Sequence, residues 1–344
     1  MEPFSKGFVE IMAAEQSVEE KDWFQGTADA VRRCLKHFND PNIKYVIVLS
    51  GDQLYKMNLR DILKYHLENN AEVTLACNRV DVASAPDLGI IGVDRGNKIK
   101  SFIEKPKDAS VIEKMTVKHD GETFCLGSMG IYLFNKSTLI DLLMKDNKVD
   151  FGREIIPDAI KRGETYAYVF DGYWRDIGTI KAFYEENLML TEPLPPLDMF
   201  DETWQIYTRP RYLPPAKFKN SLVEKSIIAE GAIILSAKIS HSIIGLRLRV
   251  GEETVIKDTI AMGSDYYQTA EQIDMDHANG VPLLGVGQDC QIERAILDKN
   301  VRIGNGVKIV NVEGVSNFDG PNYCIRDGIV IISKSAVIPD GTVI

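Results

Sequence analysis

Two aspartates stand where a metal-dependent transfer of a phosphoryl or nucleotidyl group could take place. Asp52 directly follows an apolar run, and Asp176 lies in the polar turn WRDIGT. Carboxylates suit Mg²⁺, which binds through one or two of them and fills its other positions with water and substrate phosphates. Sharing one ion, they would let it draw charge from a nucleoside triphosphate while a sugar phosphate attacks. Spacing alone does not show that they meet, and Asp52 is also consistent with a turn residue.

A second polar cluster, Glu104-Lys105-Pro106, ends a predicted β-hairpin. A lysine held by a following proline can neutralise a phosphate, and the glutamate can accept hydrogen bonds from sugar hydroxyls. The pair is equally consistent with a solvated ion pair at a turn. Gly26-Thr27, at a predicted helix N-terminus, offers free N–H groups to a nucleotide. Neither pattern is specific by itself.

Alternating strand-like and helical segments place these residues in an α/β domain. The alternation runs from residue 8 to about 190 and predicts a mostly parallel sheet. Residues 45–50 form a continuous apolar run, which predicts a central strand buried on both faces. Asp52 then lies at the carboxyl end of that strand, where open parallel sheets bind their ligands.

The composition changes after residue 190. Six of the 14 prolines fall between 193 and 215, so we predict a linker over 191–220. From 221 to 344 aliphatic residues recur every six positions, a period typical of a parallel β-helix. The recurring residues are Ile228 and Ile234; Ile244, Val250 and Ile256; Leu297, Ile303 and Ile309; and Ile332, Ile338 and Ile344. Residues 265–282 interrupt the period and are predicted to project as a loop or helix.

The overall composition argues against several classes of partner. The net charge is −10, so nucleic acid and anionic membranes would be repelled at long range. No run of 18 apolar residues and no signal-like start occur, and we therefore expect neither a nucleic-acid nor a membrane partner. Five scattered cysteines predict reduced thiols, and five histidines without a paired spacing argue against a histidine-bound zinc.

Nine segments together resemble the ADP-glucose pyrophosphorylase (glucose-1-phosphate adenylyltransferase) family. They occur in the family's order along almost the whole chain: WFQGTADAV, VLSGDQLY, FIEKP, SMGIYLF, DFGREIIP, YWRDIGT, RYLPPAKF, SDYYQT and the terminal DGTVI. The resemblance implies a Rossmann-like α/β nucleotidyltransferase domain over 1–190 and a left-handed parallel β-helix over 221–344. It also implies synthesis of ADP-glucose and pyrophosphate from ATP and glucose 1-phosphate, in glycogen or starch biosynthesis.

The same resemblance implies roles for individual residues. Asp52 and Asp176 would bind the catalytic Mg²⁺, with Asp52 the leading catalytic carboxylate. The residues implied to hold glucose 1-phosphate are Glu104, Lys105, Ser128, Asp150 and Trp174, and those near the adenine are Gln25, Gly26 and Thr27. Lys299 and Lys334 match positions that bind sugar-phosphate activators in some members, and they are also consistent with solvated lysines. A homo- or heterotetramer, assembled and regulated through the β-helix, and a cytoplasmic or plastid location are implied as well.

Two departures from the family pattern bear on activity. Gln53 stands where a histidine is common, and the glycine-rich loop G-G-x-G-x-R-L-x-P-L-T, which grips the triphosphate, precedes the point where this sequence enters. Losing one preorganised donor at such a site costs about 3–4 kcal/mol. We therefore expect a truncated catalytic domain, little or no adenylyltransferase activity of the chain alone, and an exposed apolar sheet edge.

Two alternatives follow from these departures. The chain could be a fragment, or a non-catalytic regulatory subunit that acts through a full-length partner. A hexapeptide-repeat acyltransferase finds no support, because His241 is the only histidine inside the repeats.

Overall fold

The computed structural model describes residues 9–12, 23–119 and 121–344. The chain forms two compact units, Met1–Trp174 and Arg175–Ile344. The helices of the first unit are α1 (Thr27–Arg33), α2 (Leu35–Phe38), α3 (Leu59–Glu68), α4 (Ala109–Lys114), α5 (Lys136–Lys145) and α6 (Ile156–Arg162), with a 3₁₀ turn at Val82–Asp87 and a π-helical turn at Phe151–Ile155. Its strands are β1 (Tyr45–Leu49), β2 (Gln53–Tyr55), β3 (Val73–Val80), β4 (Gly89–Val93), β5 (Ile99–Glu104), β6 (Val117–His119), β7 (Glu122–Asn135) and β8 (Thr165–Val169); β9 (Trp174–Asp176) crosses the boundary.

Local sequence signals explain where several of these helices begin and end. The Asn58 side chain accepts a hydrogen bond from the Arg60 N–H and caps α3, which buries Ile62 on its inner face. The sequence DFGREIIPDAIKRG predicts a helix up to Gly163, and α6 ends there with Gly163 in the left-handed conformation, φ 106°. The sequence also predicts that Thr27 caps α1, which is wrong, because the N-cap is Gly26 and no side chain caps this helix.

The sheet of the first unit is built around the long strand β7. Its order is β5-β4-β7-β3-β8, with β1 and β6 also paired to β7. Strands β1, β3, β4 and β6 all run antiparallel to β7, whereas β3 and β8 are parallel. The prediction of a mostly parallel sheet is therefore wrong for the described part of this unit. Alternation of strands and helices does not by itself fix strand direction. Here β7, in the middle of the sheet, runs opposite to the strands beside it.

Strand β1 differs from its prediction as a fully buried central strand. Its side chains are only partly buried, and Leu49 is 43% exposed. Val46 and Val48 pack against one core cluster, while Tyr45 and Ile47 pack against another. Among the described residues β1 pairs with β7 alone. Both faces are apolar as predicted, but neither face is completely covered.

The second unit begins with helix α7 (Ile180–Met189) and continues into a parallel β-helix. Residues 190–216, all of them described, contain no helix or strand, as the prolines predict. The strands that follow are β10 (Lys217–Lys219), β11 (Leu222–Glu224), β12 (Ile227–Ile228), β13 (Ile233–Leu235), β14 (Lys238–Ser240), β15 (Ile243–Ile244), β16 (Arg249–Val250), β17 (Val255–Ala261), β18 (Gly285–Val286), β19 (Gln291–Leu297), β20 (Arg302–Ile303), β21 (Lys308–Ile309), β22 (Asn317–Asp319), β23 (Tyr323–Arg326), β24 (Ile329–Ile332) and β25 (Val337–Ile338).

The six-residue period is confirmed as the interior of the β-helix. In one face, Ile234 pairs with Val250, Val250 with Val286, Val286 with Ile303, and Ile303 with Ile338. All five side chains belong to one buried cluster, because each coil turns the same position inward.

Two segments leave the coils of the β-helix. The predicted insert contains helix α8 (Ala270–Ala278), which Thr269 and Gln272 close at its N-terminus with a capping box. The antiparallel hairpin of β22 and β23 was not predicted from the sequence. None of the helices in the described ranges is long and apolar enough to span a bilayer.

Helix α7 packs on the β-helix within the second unit. Tyr184 and Leu188 join a buried cluster with residues of three β-helix strands, and the Tyr184 hydroxyl donates a hydrogen bond of 2.5 Å to the Asp258 carbonyl. We expect Tyr184→Phe to lower the free energy of unfolding by about 0.5–1.5 kcal/mol, the net value of one such bond. Urea denaturation measures this change. Tyr207→Phe is the control, since that side chain is 81% exposed, and equal effects of both variants would contradict the prediction.

Candidate functional site

Glu104 ends strand β5 in a space that two glycines keep open. A Cβ atom at Gly89 would lie 2.8 Å from the Glu104 Oε2 atom, and one at Gly152 would lie 2.7 Å from it. Burial, and next the nearby Asp150 carboxylate, raise the pKa of Glu104, while Lys105 and Arg153 act in the opposite direction. The structure therefore holds a partly buried carboxylate beside a second one, an arrangement suited to accepting hydrogen bonds from hydroxyl groups.

Asp150 is fixed by the π-helical turn that follows it. Its side chain accepts a hydrogen bond of 2.7 Å from the Arg153 N–H, as an N-cap. Its own N–H donates to Glu154 Oε2 at 3.0 Å. With both groups held, the Asp150 carboxylate has a defined position near Glu104.

Ser128 and Tyr132 approach the same carboxylates from strand β7. Both are buried, with 8% and 9% of their surface exposed. Burial raises the pKa of Tyr132 to about 12; a hydrogen bond with Ser128 opposes this shift, and the charges of Glu104 and Asp150 add to it. Tyr132 was missed by the sequence reasoning, although it lies four residues after Ser128 in SMGIYLF. The hydroxyl of Tyr132 stays protonated and is available as a donor.

The predicted nucleotide-binding residues lie against the segment that ends in Asp150. The Thr27 hydroxyl accepts a hydrogen bond of 3.3 Å from the Phe151 N–H, and the Ala28 N–H donates to the Val149 carbonyl at 2.9 Å. A Cβ atom at Gly26 would overlap with the same carbonyl oxygen. The structure thus brings residues 26–27 next to the proposed sugar-phosphate residues.

Gln25 is held in place by helix α1, which follows it in the chain. Its N–H donates to the Asp29 carboxylate at 2.9 Å. Burial by itself would raise the pKa of Asp29, but that hydrogen bond and the guanidinium groups of Arg32 and Arg33 hold it below its usual value. Asp29 therefore serves as an anchor for α1.

Asp52 lies in the exposed turn after β1, where the Ser50 hydroxyl donates to its Oδ1 atom at 2.5 Å. The Ser50 N–H donates to the Gly130 carbonyl at 3.1 Å, and Gly130 lies between Ser128 and Tyr132 in β7. The exposed carboxylate offers a hard oxygen ligand of the kind that Mg²⁺ prefers. Asp52 is thereby tied to the strand that carries Ser128.

The other two predicted residues of the site are placed differently. Trp174 is 8% exposed and packs in the core cluster with Met57 and Met129. Its buried indole Nε1 atom has no hydrogen-bond partner among the described residues. Asp176 begins the second unit, where its side chain accepts a 2.8 Å hydrogen bond from the Gly178 N–H.

A shared metal site of Asp52 and Asp176 stays a prediction. Across the described ranges no group of three or more histidine, cysteine, aspartate or glutamate side chains could hold a metal ion. A pair of carboxylates completed by water and substrate phosphates does not need a third such ligand.

Lys299 and Lys334 meet around one aspartate of the β-helix. The Lys299 ammonium group lies 2.6 Å from the Asp265 carboxylate, and the Ser335 N–H donates to the Lys299 carbonyl at 2.9 Å, which stacks the two lysine-bearing turns. The pKa of Asp265 is lowered, first by its hydrogen bond with Lys299 and then by Asn300, with Lys334 adding its charge. Both predicted effector lysines therefore lie close enough to Asp265 to lower its pKa.

Two known families match this chain. A nucleotidyl transferase model matches residues 2–192, and a GLGC left-handed parallel beta-helix domain model matches residues 211–343. The predicted fold class is confirmed by these matches, including the left-handed sense of the β-helix. The order of the two matches is also the order of domains that the sequence motifs predict.

Proposed function

Because the chain belongs to the nucleotidyl transferase family and has the domain architecture of an ADP-glucose pyrophosphorylase, we propose that it takes part in making ADP-glucose and pyrophosphate from ATP and glucose 1-phosphate. A phosphate oxygen of glucose 1-phosphate attacks the α-phosphorus of ATP in this reaction, and the bond to pyrophosphate breaks. The structure bears most directly on the sugar-phosphate half of the site.

The observation that carries the proposal is the cluster of Glu104, Asp150, Ser128 and Tyr132 at one end of the sheet. Two carboxylates accept hydrogen bonds and two hydroxyls can donate and accept them, which matches the alternating donors and acceptors of a hexose. Lys105, exposed at the end of β5, adds a positive charge at the rim for the phosphate. A hexose 1-phosphate fits this combination better than an apolar ligand does.

Asp52 and Asp176 are the residues proposed to hold Mg²⁺. Bound there, the ion would neutralise charge on the triphosphate and on the leaving pyrophosphate. Gln25, Gly26 and Thr27 supply a small-residue edge for the adenine beside the sugar site. The Ser50 hydroxyl keeps the Asp52 carboxylate oriented.

Calorimetry with glucose 1-phosphate tests the sugar site directly. We expect one molecule to bind per chain, more tightly than glucose or glucose 6-phosphate, because the phosphate must lie next to C1 to reach Lys105 while the hydroxyls reach Glu104. Equal affinity for glucose 6-phosphate would contradict the proposed orientation. This test does not require turnover.

Catalysis is tested by measuring ADP-glucose with ATP, glucose 1-phosphate and Mg²⁺ present. The chain is assayed alone and in an equimolar mixture with a full-length homologue. Turnover by the purified chain alone would rule out a non-catalytic regulatory subunit. Stimulation of the homologue without turnover by the chain itself would support that alternative, and size measurement of the mixture would show whether the proposed tetramer forms.

Regulation through Lys299 and Lys334 belongs to the same proposal. Lys299 already forms an ion pair with Asp265, so an anionic effector must compete with this carboxylate. We expect Asp265→Asn to tighten binding of a non-substrate sugar phosphate, such as fructose 6-phosphate, up to about fivefold, because an exposed ion pair is worth roughly 0.2–1 kcal/mol. Asp274→Asn on exposed helix α8 is the control. Unchanged or weaker binding by Asp265→Asn would count against an effector site at Lys299.

A further inference from the structure

A partly open cavity of about 560 Å³ lies on the β-helix, within the second unit. The coils form one wall, including Arg249 of β16 and Val286 of β18. The stretch of the insert after helix α8 forms the other wall. Neither Lys299 nor Lys334 lines the cavity, so it is separate from the proposed effector lysines.

Backbone rather than side chains forms much of the floor. Gly251, Gly287 and Gly304 stack at one corner of successive coils; a Cβ atom at Gly251 would lie 2.5 Å from the Gly287 carbonyl oxygen, and one at Gly287 would lie 2.6 Å from that of Gly304. The close approach of neighbouring coils by itself explains why glycine is needed at Gly251 and Gly287. All three glycines line the cavity, so backbone forms this part of it.

The carboxylates that line the cavity are engaged elsewhere. Glu252 forms an ion pair of 2.9 Å with Lys219, and Asp340 accepts a hydrogen bond of 2.8 Å from the Asn305 N–H. The structure shows no hydrogen bond or ion pair of the Arg249 side chain with any described residue. Among the charged side chains that line the cavity, Arg249 is therefore the one that has no partner among the described residues.

The opposite wall combines a polar ring with apolar side chains. His277, at the end of α8, lines the cavity with an imidazole that has no partner among the described residues, and it is followed by Val281 and Leu283. The insert is fixed here because Arg302 lies 2.7 Å from the Asp276 carboxylate and donates to the Pro282 carbonyl at 2.8 Å. The wall is thus formed before any ligand arrives, which lowers the cost of binding.

We propose that this cavity binds a small organic carboxylate with an apolar body. The guanidinium group of Arg249 takes the carboxylate, for which its planar fork is well matched. An N–H of His277 donates a further hydrogen bond, and the apolar body lies against Val281 and Leu283. On the insert's side of the cavity, the residues from Val281 to Leu284 supply the apolar contact.

Benzoate is a suitable probe, since it joins a carboxylate to a flat apolar ring. Titration of the full chain in a calorimeter is expected to show one site per chain, with benzamide, its neutral counterpart, binding at least about tenfold more weakly. Arg249→Gln is expected to weaken benzoate binding by about tenfold or more. Lys238→Gln removes one exposed positive charge from the same β-helix outside the cavity, and it should leave the affinity unchanged.

The proposal would be overturned by no benzoate binding up to millimolar concentration, by equal binding of benzamide, or by the same affinity in Arg249→Gln as in the parent. Arg249 is exposed, so its variant is expected to fold, and circular dichroism checks this. Glucose 1-phosphate in excess should not displace benzoate. Displacement would place benzoate in the sugar site and equally reject the cavity.

Discussion

Glu104→Gln is expected to weaken binding of glucose 1-phosphate about ten- to hundredfold, because a hydrogen bond to a charged group contributes roughly 1.5–3 kcal/mol. The substitution keeps the shape of the side chain and removes its charge. Gly89 and Gly152 leave the room that this side chain needs, so an amide of the same shape fits where the carboxylate was. Calorimetry at neutral pH measures the loss.

The same variant should have the opposite effect on stability. Burial and Asp150 raise the pKa of Glu104 above its ordinary value of 4.5. A raised pKa means that the folded protein binds this proton more tightly, so the stabilisation is complete below the ordinary value and is lost as the pH rises through the folded one. Glu104→Gln removes the cost of ionising the buried group. We therefore expect its melting temperature, relative to the parent, to be higher at pH 7 than at pH 4.

Glu113→Gln is the matched control, because Glu113 is exposed in helix α4. It should change neither the affinity nor the difference between the two pH values. A Glu104→Gln variant that binds glucose 1-phosphate as tightly as the parent would remove Glu104 from the site. A lower melting temperature at pH 7 than at pH 4, again relative to the parent, would show that the ionised carboxylate is stabilising.

Gly26→Ala is expected to destabilise the first unit by about 1–3 kcal/mol, the usual cost of adding a methyl group where none fits. Its backbone is extended, with φ 168°, so conformation does not require glycine here. The obstacle is the Val149 carbonyl, with which the new Cβ atom would overlap. Since Asp150 follows directly, glucose 1-phosphate binding should weaken as well. Urea denaturation and calorimetry measure the two effects.

Gly96→Ala provides the comparison for this prediction. Gly96 lies in the turn between β4 and β5, and a Cβ atom there would meet nothing closer than the Asp94 Oδ1 atom at 3.5 Å, an ordinary contact. We expect little change in stability or binding. If Gly26→Ala were as stable as Gly96→Ala, the packing of residues 26–27 on the segment before Asp150 could not be what positions the site.

The arrangement of the sugar site could be predicted only in part. Glu104, Lys105, Ser128 and Asp150 were each named from motifs, but nothing in their spacing places them together. Tyr132 was missed, although the alternation of side chains along a strand places residues 128 and 132 on one face of β7.

The sequence by itself determined those features that depend on neighbours along the chain. Ile234, Val250 and Ile303 were assigned to the β-helix interior, because a six-residue period can bury them only in coils of that length. The end of α6 at Gly163 is equally local, since it depends on the backbone of a few adjacent residues.

Only the tertiary structure decided which residues, distant along the sequence, lie close together in space. Strand β7 pairs antiparallel with β1, β3 and β4, and it brings Ser128 and Tyr132 near Glu104 and Asp150. Strand order and direction arise from packing of the whole sheet, so no local pattern encodes them. The unpaired Arg249 beside the insert has the same origin, because the insert's position depends on the Arg302–Asp276 contact across the β-helix.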